Sequence, residues 1–170
     1  HTDSSVYSSD FFSKIATDGR ESFAWAEVIT TLNKIKNVKL FFFDAIAVSN
    51  SKDSGMYLKV KKQIQNNPRY KTITLSGNVH NMIQPFKGAN TMGCYLKTDK
   101  ELNLQDKICS LNHCYKSGTM CNNTGNGLQL RQVSKTDSDY STSVDYNGYF
   151  LLLTQKQTDR YNAIFFTRNV

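Results

Sequence analysis

The chain has 170 residues and a mass of 19.3 kDa, a size that suits one domain. Hydrophobic residues make up 39% and charged residues 21%, which supports a buried core and excludes wholesale disorder. No apolar run approaches the roughly 20 residues of a membrane helix, so no membrane span is expected. Lys plus Arg is 21 against 14 for Asp plus Glu, a balance of +7 that permits nucleic acid, anionic lipid or acidic partners. No DNA- or RNA-binding motif accompanies it, so nucleic acid is not an expected partner. The chain opens on His1 without a signal peptide and reads as a processed or cut product.

In chain order, residues 1–10 are polar and ragged. From Gly19 to Lys36 the pattern is helical, with Phe23, Ala26, Ile29, Leu32 and Ile35 at spacings of three. Thr17 or Asp18 can cap its start, and Asn37 ends it. Val38 to Phe43 is short and almost wholly apolar, which predicts a strand buried on both faces, ending on Asp44. Asp53 to Gln65 predicts a second helix with Met56, Val60 and Ile64 four apart, stopped by Asn66-Asn67-Pro68. Lys71 to Ser76 is β-branched and predicts another strand, followed by Gly77-Asn78-Val79-His80.

Residues 38–76 thus spell strand, helix, strand, a unit that makes its two strands parallel. Their C-terminal ends, with Asp44 and residues 77–80, fall on the ligand-binding edge of an α/β sheet. Residues 81–94 read as a loop with Pro85, Gly88 and Gly93, and Tyr95 to Lys97 as a short strand. Residues 98–147 form a polar insert that contains three of the four cysteines, with short strands around Leu128 to Val133. Gly148 to Thr154 and Ala163 to Thr167 close the chain as two strands joined by residues 155–162. The expected architecture is one α/β domain over 1–170. It has a mainly parallel sheet with flanking helices, an irregular cysteine-containing insert and closing C-terminal strands.

Cys94, Cys109, Cys114 and Cys121 include the spacing C-x4-C-x6-C, unlike the paired C-x2-C of a zinc ribbon. In an Asn-, Ser- and Thr-rich segment they read as one or two disulfides. The implied location is secreted or periplasmic. Free cytosolic thiols are the alternative.

Chemistry centres on His80, set after a strand and a glycine turn, where an imidazole can bind a metal or move a proton near neutral pH. Asn78 can hydrogen-bond locally or reach a ligand. Asp44 ends a strand on the same edge. Asp53 sits in the first turn of a helix, where a carboxylate also complements the helix dipole. Arg20 can anchor an anion. For each there is a plainer role as a turn, cap or surface residue. His113 beside Cys109 or Cys114 is a conceivable nucleophile pair, which disulfide use of those cysteines excludes. The sequence has no nucleophile elbow, phosphate loop, zinc-protease helix or dinucleotide fingerprint.

Several stretches occur in an order that resembles one family. They are Asp18 to Ser22, Lys52 to Met56, Thr74 to His80, Thr91 to Leu96, and Arg160 to Phe166. The Gly-Asn-x-His after a strand, followed by Met-Gly-x-x-Leu, is the most telling pair. Together they resemble the C-terminal half of the erythromycin-esterase, ChaN-like and TIKI superfamily, over residues 18–96 and 148–167. That superfamily includes hydrolases, TIKI-type metalloproteases and haem-binding lipoproteins. The resemblance implies an α/β fold with a site at the strand ends and a divalent metal at His80, or haem as the alternative. Asp53 stands where an acidic residue is usual, Lys52 where an arginine is usual, and Asn162 where the family has aspartate. Only Gly77 to His80 matches the two Gly-x-x-His motifs of TIKI-like members. The first would lie on an upstream fragment of the same precursor. The expected function is metal-assisted ester or amide hydrolysis at His80, Asp53 and Asp44, complete or not. The alternative is a secreted, non-enzymatic binding module for haem, another small ligand, a peptide or a protein.

Overall fold

In a computed structural model of the chain, the described residues are 23–44, 51–123, 128–134, 149–152 and 160–169. They form a mixed α/β structure of helices and a small sheet. The elements are α1 (Phe23–Lys34), α2 (Lys52–Asn66), α3 (Asn78–Asn81), α4 (Met92–Thr98), β1 (Leu111–Asn123), β2 (Leu128–Ser134), β3 (Tyr149–Leu152) and β4 (Ala163–Asn169). None of the described helices is long and apolar enough to cross a membrane. The chain divides into two compact units: residues 1–42 with 117–134 and Val170, and residues 43–116 with 135–169.

In the first unit, α1 buries Ala26 and Thr30, while Trp25, Val28 and Ile35 of the expected apolar face are exposed. Asn37 takes φ 73°, the left-handed conformation that asparagine tolerates, and so ends the helical turn. The C-terminal half of β1 pairs with β2 in an antiparallel ladder from Ser117↔Ser134 to Asn123↔Leu128.

The second unit contains every element relevant to the site. Ser51 caps α2 by accepting a bond from the Ser54 backbone N–H at 3.2 Å. The apolar spacing of α2 then places Met56 and Val60 in the core. Asn67 closes it, its N–H bonding to the Ile64 carbonyl at 3.2 Å. Met82, Ile83, Met92, Cys94, Leu96, Tyr161, Ala163 and Ile164 complete this core. Strands β3 and β4 pair antiparallel from Tyr149↔Phe166 to Leu152↔Ala163. The two closing strands therefore form where expected. Arg20, residues 1–10 and most of 135–159 lie outside the described residues.

Three expectations need correction. Residues 38–43 and 71–76, each expected as a strand, are not strands among the described residues. Their apolar side chains are not doubly buried: Phe42 is 79% exposed and Ile73 84%. Strand propensity reflects fit to a half-buried pleated surface, and composition alone does not decide what covers each face. Tyr95 to Lys97 is not a strand but lies inside α4. Thr91 caps that helix by accepting from the Cys94 N–H at 3.1 Å, and Met92 and Leu96, four apart, face the core. Finally, the supposed irregular stretch after residue 98 contains the long strand β1.

Candidate functional site

The site begins with one carboxylate. Asp53, in the first turn of α2, directs Oδ1 toward α3, where His80 Nδ1 lies 2.9 Å away. The same Oδ1 accepts the backbone N–H of Met92, the first residue of α4, at 2.8 Å. One oxygen therefore joins three separate helices, and it joins three of the stretches singled out in the sequence. His80 and Asp53 are partly exposed, at 28% and 21% of their side-chain surface. The pair is reachable from solvent without being a loose surface contact.

The surrounding backbone fixes this geometry. The His80 N–H closes a turn onto the Gly77 carbonyl at 3.0 Å. Ser76 Oγ donates to Asn81 Oδ1 at 2.6 Å, tying the approach to α3 to its end. The Tyr161 hydroxyl donates to the Asn78 carbonyl at 3.0 Å. Burial pushes the Tyr161 phenol up to about 12, which keeps it a neutral donor. Ser110 Oγ donates to the Asn81 carbonyl, and the Ile83 N–H bonds to the Arg160 carbonyl at 2.8 Å. Asn162 accepts the Ser110 N–H on Oδ1 at 2.8 Å, a bracing role that an amide fulfils as well as a carboxylate.

Gly93 is required by close approach. A Cβ there would stand 2.6 Å from the carbonyl oxygens of both Asn81 and Met82. Because Gly93 has none, the start of α4 packs directly on the end of α3, and the Met92 N–H reaches Asp53. Thr91 Oγ1 also donates to the Met82 carbonyl, fastening the same junction. Sequence reasoning found Asp53 and His80 but missed the Met92 N–H, because a backbone donor leaves no mark in residue type.

The remaining candidates have other placements. Asp44 is paired with Lys52 at 3.2 Å and accepts Lys59 Nζ on its carbonyl at 2.8 Å; no hydrogen bond joins it to His80. Asn78 contributes its carbonyl, and its residue is exposed. His113 stacks on Phe165 with centroids 5.5 Å apart, and burial pushes its imidazole below the ordinary histidine range. Among the described residues no disulfide joins Cys94, Cys109 and Cys114, and the Cys121 side chain lies outside the described residues. Burial pushes the Cys94 thiol up, which suppresses its thiolate.

A second polar cluster lies nearby in the same unit. Asp99, just past α4, accepts the Tyr57 hydroxyl at 2.5 Å and Lys61 Nζ at 2.9 Å. Its other oxygen accepts the Glu101 and Leu102 backbone N–H groups. Burial pushes the Asp99 carboxyl up, but these bonds outweigh it and bring it down to about 2. Tyr57 stacks on Tyr95 with centroids 5.2 Å apart, so this cluster clamps α2 to α4 beside the dyad.

The chemistry of the dyad follows from its donors. An ionised carboxylate accepts hydrogen bonds and cannot donate, so Nδ1 carries the proton. Nε2 then holds the lone pair of the neutral ring. An imidazole so oriented can accept a proton from water or ligate a metal. Among the described residues, no group of three or more His, Cys, Asp and Glu could hold a metal ion. His80 fits one ligand position, with Asp53 orienting it. Comparison with protein-family models, curated proteins and solved structures finds no match for this chain.

Proposed function

We propose that this chain is a secreted, hydrolase-like α/β protein whose working group is His80, held by Asp53 for ester or amide hydrolysis. The observation that supports this reading is the shared Asp53 Oδ1, which bonds both His80 Nδ1 and the Met92 N–H. The bond sets the ring tautomer and its direction at once. His80 Nε2 accepts a proton from water as that water's oxygen bonds to the substrate carbonyl carbon. The C–O or C–N bond then breaks, and the leaving group takes the proton back from Nε2. A divalent metal on Nε2, when bound, would supply Lewis-acid activation of that water instead. His80 would be one of its ligands, with others from an upstream fragment of the same precursor.

The test measures zinc binding by calorimetry and hydrolysis of a small activated ester, in the wild type and in His80→Ala. Stoichiometric zinc or ester turnover that disappears in His80→Ala supports the reading. Turnover and zinc binding that survive the substitution contradict it. Haem binding with a Soret band that shifts in His80→Ala, and no hydrolysis, would replace it with the binding-module reading.

A further inference from the structure

The stretch Lys71-Thr72-Ile73-Thr74-Leu75 has strand-forming residues and no strand partner among the described residues. No hydrogen bond among the described residues involves any of the five. The stretch is nevertheless held at both ends. On one side the Tyr70 N–H bonds to the Asn67 carbonyl at 3.0 Å. On the other, Ser76 Oγ bonds to Asn81 Oδ1 at 2.6 Å. Ile73 and Leu75, two residues apart, are 84% and 62% exposed. Arg69 and Lys71 are exposed beside them, and neither makes an ion pair among the described residues. His80 follows five residues after Leu75, anchored to Asp53.

We propose that residues 71–75 are a docking edge for an extended acidic peptide, which pairs with them backbone to backbone. Unpaired main-chain donors and acceptors in a row are a template for an added strand. Residues on the same face of such a pair alternate, so the peptide lays apolar side chains opposite Ile73 and Leu75. Its acidic residues lie beside Arg69 and Lys71, whose charges have no ion-pair partner among the described residues. Five residues of strand span about 17 Å, and the edge leads into the turn that carries His80. The proposal rests on the hydrolytic reading in taking this peptide as the substrate class.

The test uses an end-blocked peptide in which valine and threonine alternate and two glutamates follow. Two further versions are N-methylated at alternate residues, in complementary sets. Backbone pairing predicts that one set binds like the parent, while the other loses about tenfold or more in affinity. Replacing both glutamates by lysine weakens binding by a similar factor. Equal binding of both methylated sets, or no binding of the parent at about 1 mM, overturns the proposal. Ester hydrolysis by the same protein is read separately. Peptide bound but never cleaved, with no ester turnover, sinks the hydrolytic reading and leaves the docking edge standing. Ester turnover with no peptide binding does the reverse.

Discussion

Gly93 has no room for a side chain, and the dyad depends on that. A methyl group there meets two backbone carbonyl oxygens at 2.6 Å, which flexible side-chain motion cannot relieve. Gly93→Ala is expected to cost about 1–3 kcal/mol, the usual range for forcing extra volume into a packed site. Denaturant midpoints compared at equal slope measure this, and an unchanged midpoint would refute the close-approach argument. Much of the site was legible at this scale. Gly77 to His80 advertises a turn after a strand-prone run, and Asp53 opens a recognisable helix. The remainder was not, because the Met92 N–H and the Asn81 carbonyl belong to backbone, which every residue type shares. Asp44 pairs with Lys52, since a carboxylate at the end of an apolar run meets a neighbouring lysine as readily as a site.

At the scale of elements, α2 and α4 are held together by packing and by one charged clamp. Met56 is almost fully buried on α2, so Met56→Ala is expected to cost about 2–5 kcal/mol in a chemical denaturation series. The clamp is sensitive to acid. The Asp99 carboxyl lies at about 2 in the folded chain, below the roughly 3.9 of an unfolded aspartate. Its contribution is therefore full above about pH 4 and is lost as pH falls through about 2. Urea titrations at pH 5, 3 and 2 should show stability falling across that window, with a shallower fall in Asp99→Asn. Equal falls in both proteins would remove Asp99 from the account. The helices were readable because α2 repeats its apolar residues four apart. α4 was not, because its seven residues are too short for a period to be distinguished from a strand. Residues 38–43 and 71–76 show the opposite failure. Their composition suits buried strands, but Phe42 and Ile73 are exposed, because burial depends on what lies beside them.

At the scale of the whole chain, the mixed α/β class and the closing strands β3 and β4 were legible from composition shifts and apolar runs. The strand β1 was hidden, since Asn, Ser and Thr along it disguise a ladder whose partner, β2, the sequence did suggest. The cysteines give a test at this scale. Cys109 is exposed, while Cys94 and Cys114 are buried. Native alkylation should label Cys109 first and reach the other two only on unfolding. If none of the three reacts without reductant, the disulfides expected from the sequence are present after all.

The central claim is that Asp53 holds His80 with Nδ1 protonated and Nε2 turned to its work. Long-range proton–nitrogen NMR of the imidazole reads this directly, in the wild type and in Asp53→Asn. The account predicts that neutral His80 is the Nδ1–H tautomer, with Nε2 unprotonated, and that this preference weakens when Asp53 is replaced. A neutral ring protonated on Nε2 in the wild type would contradict it.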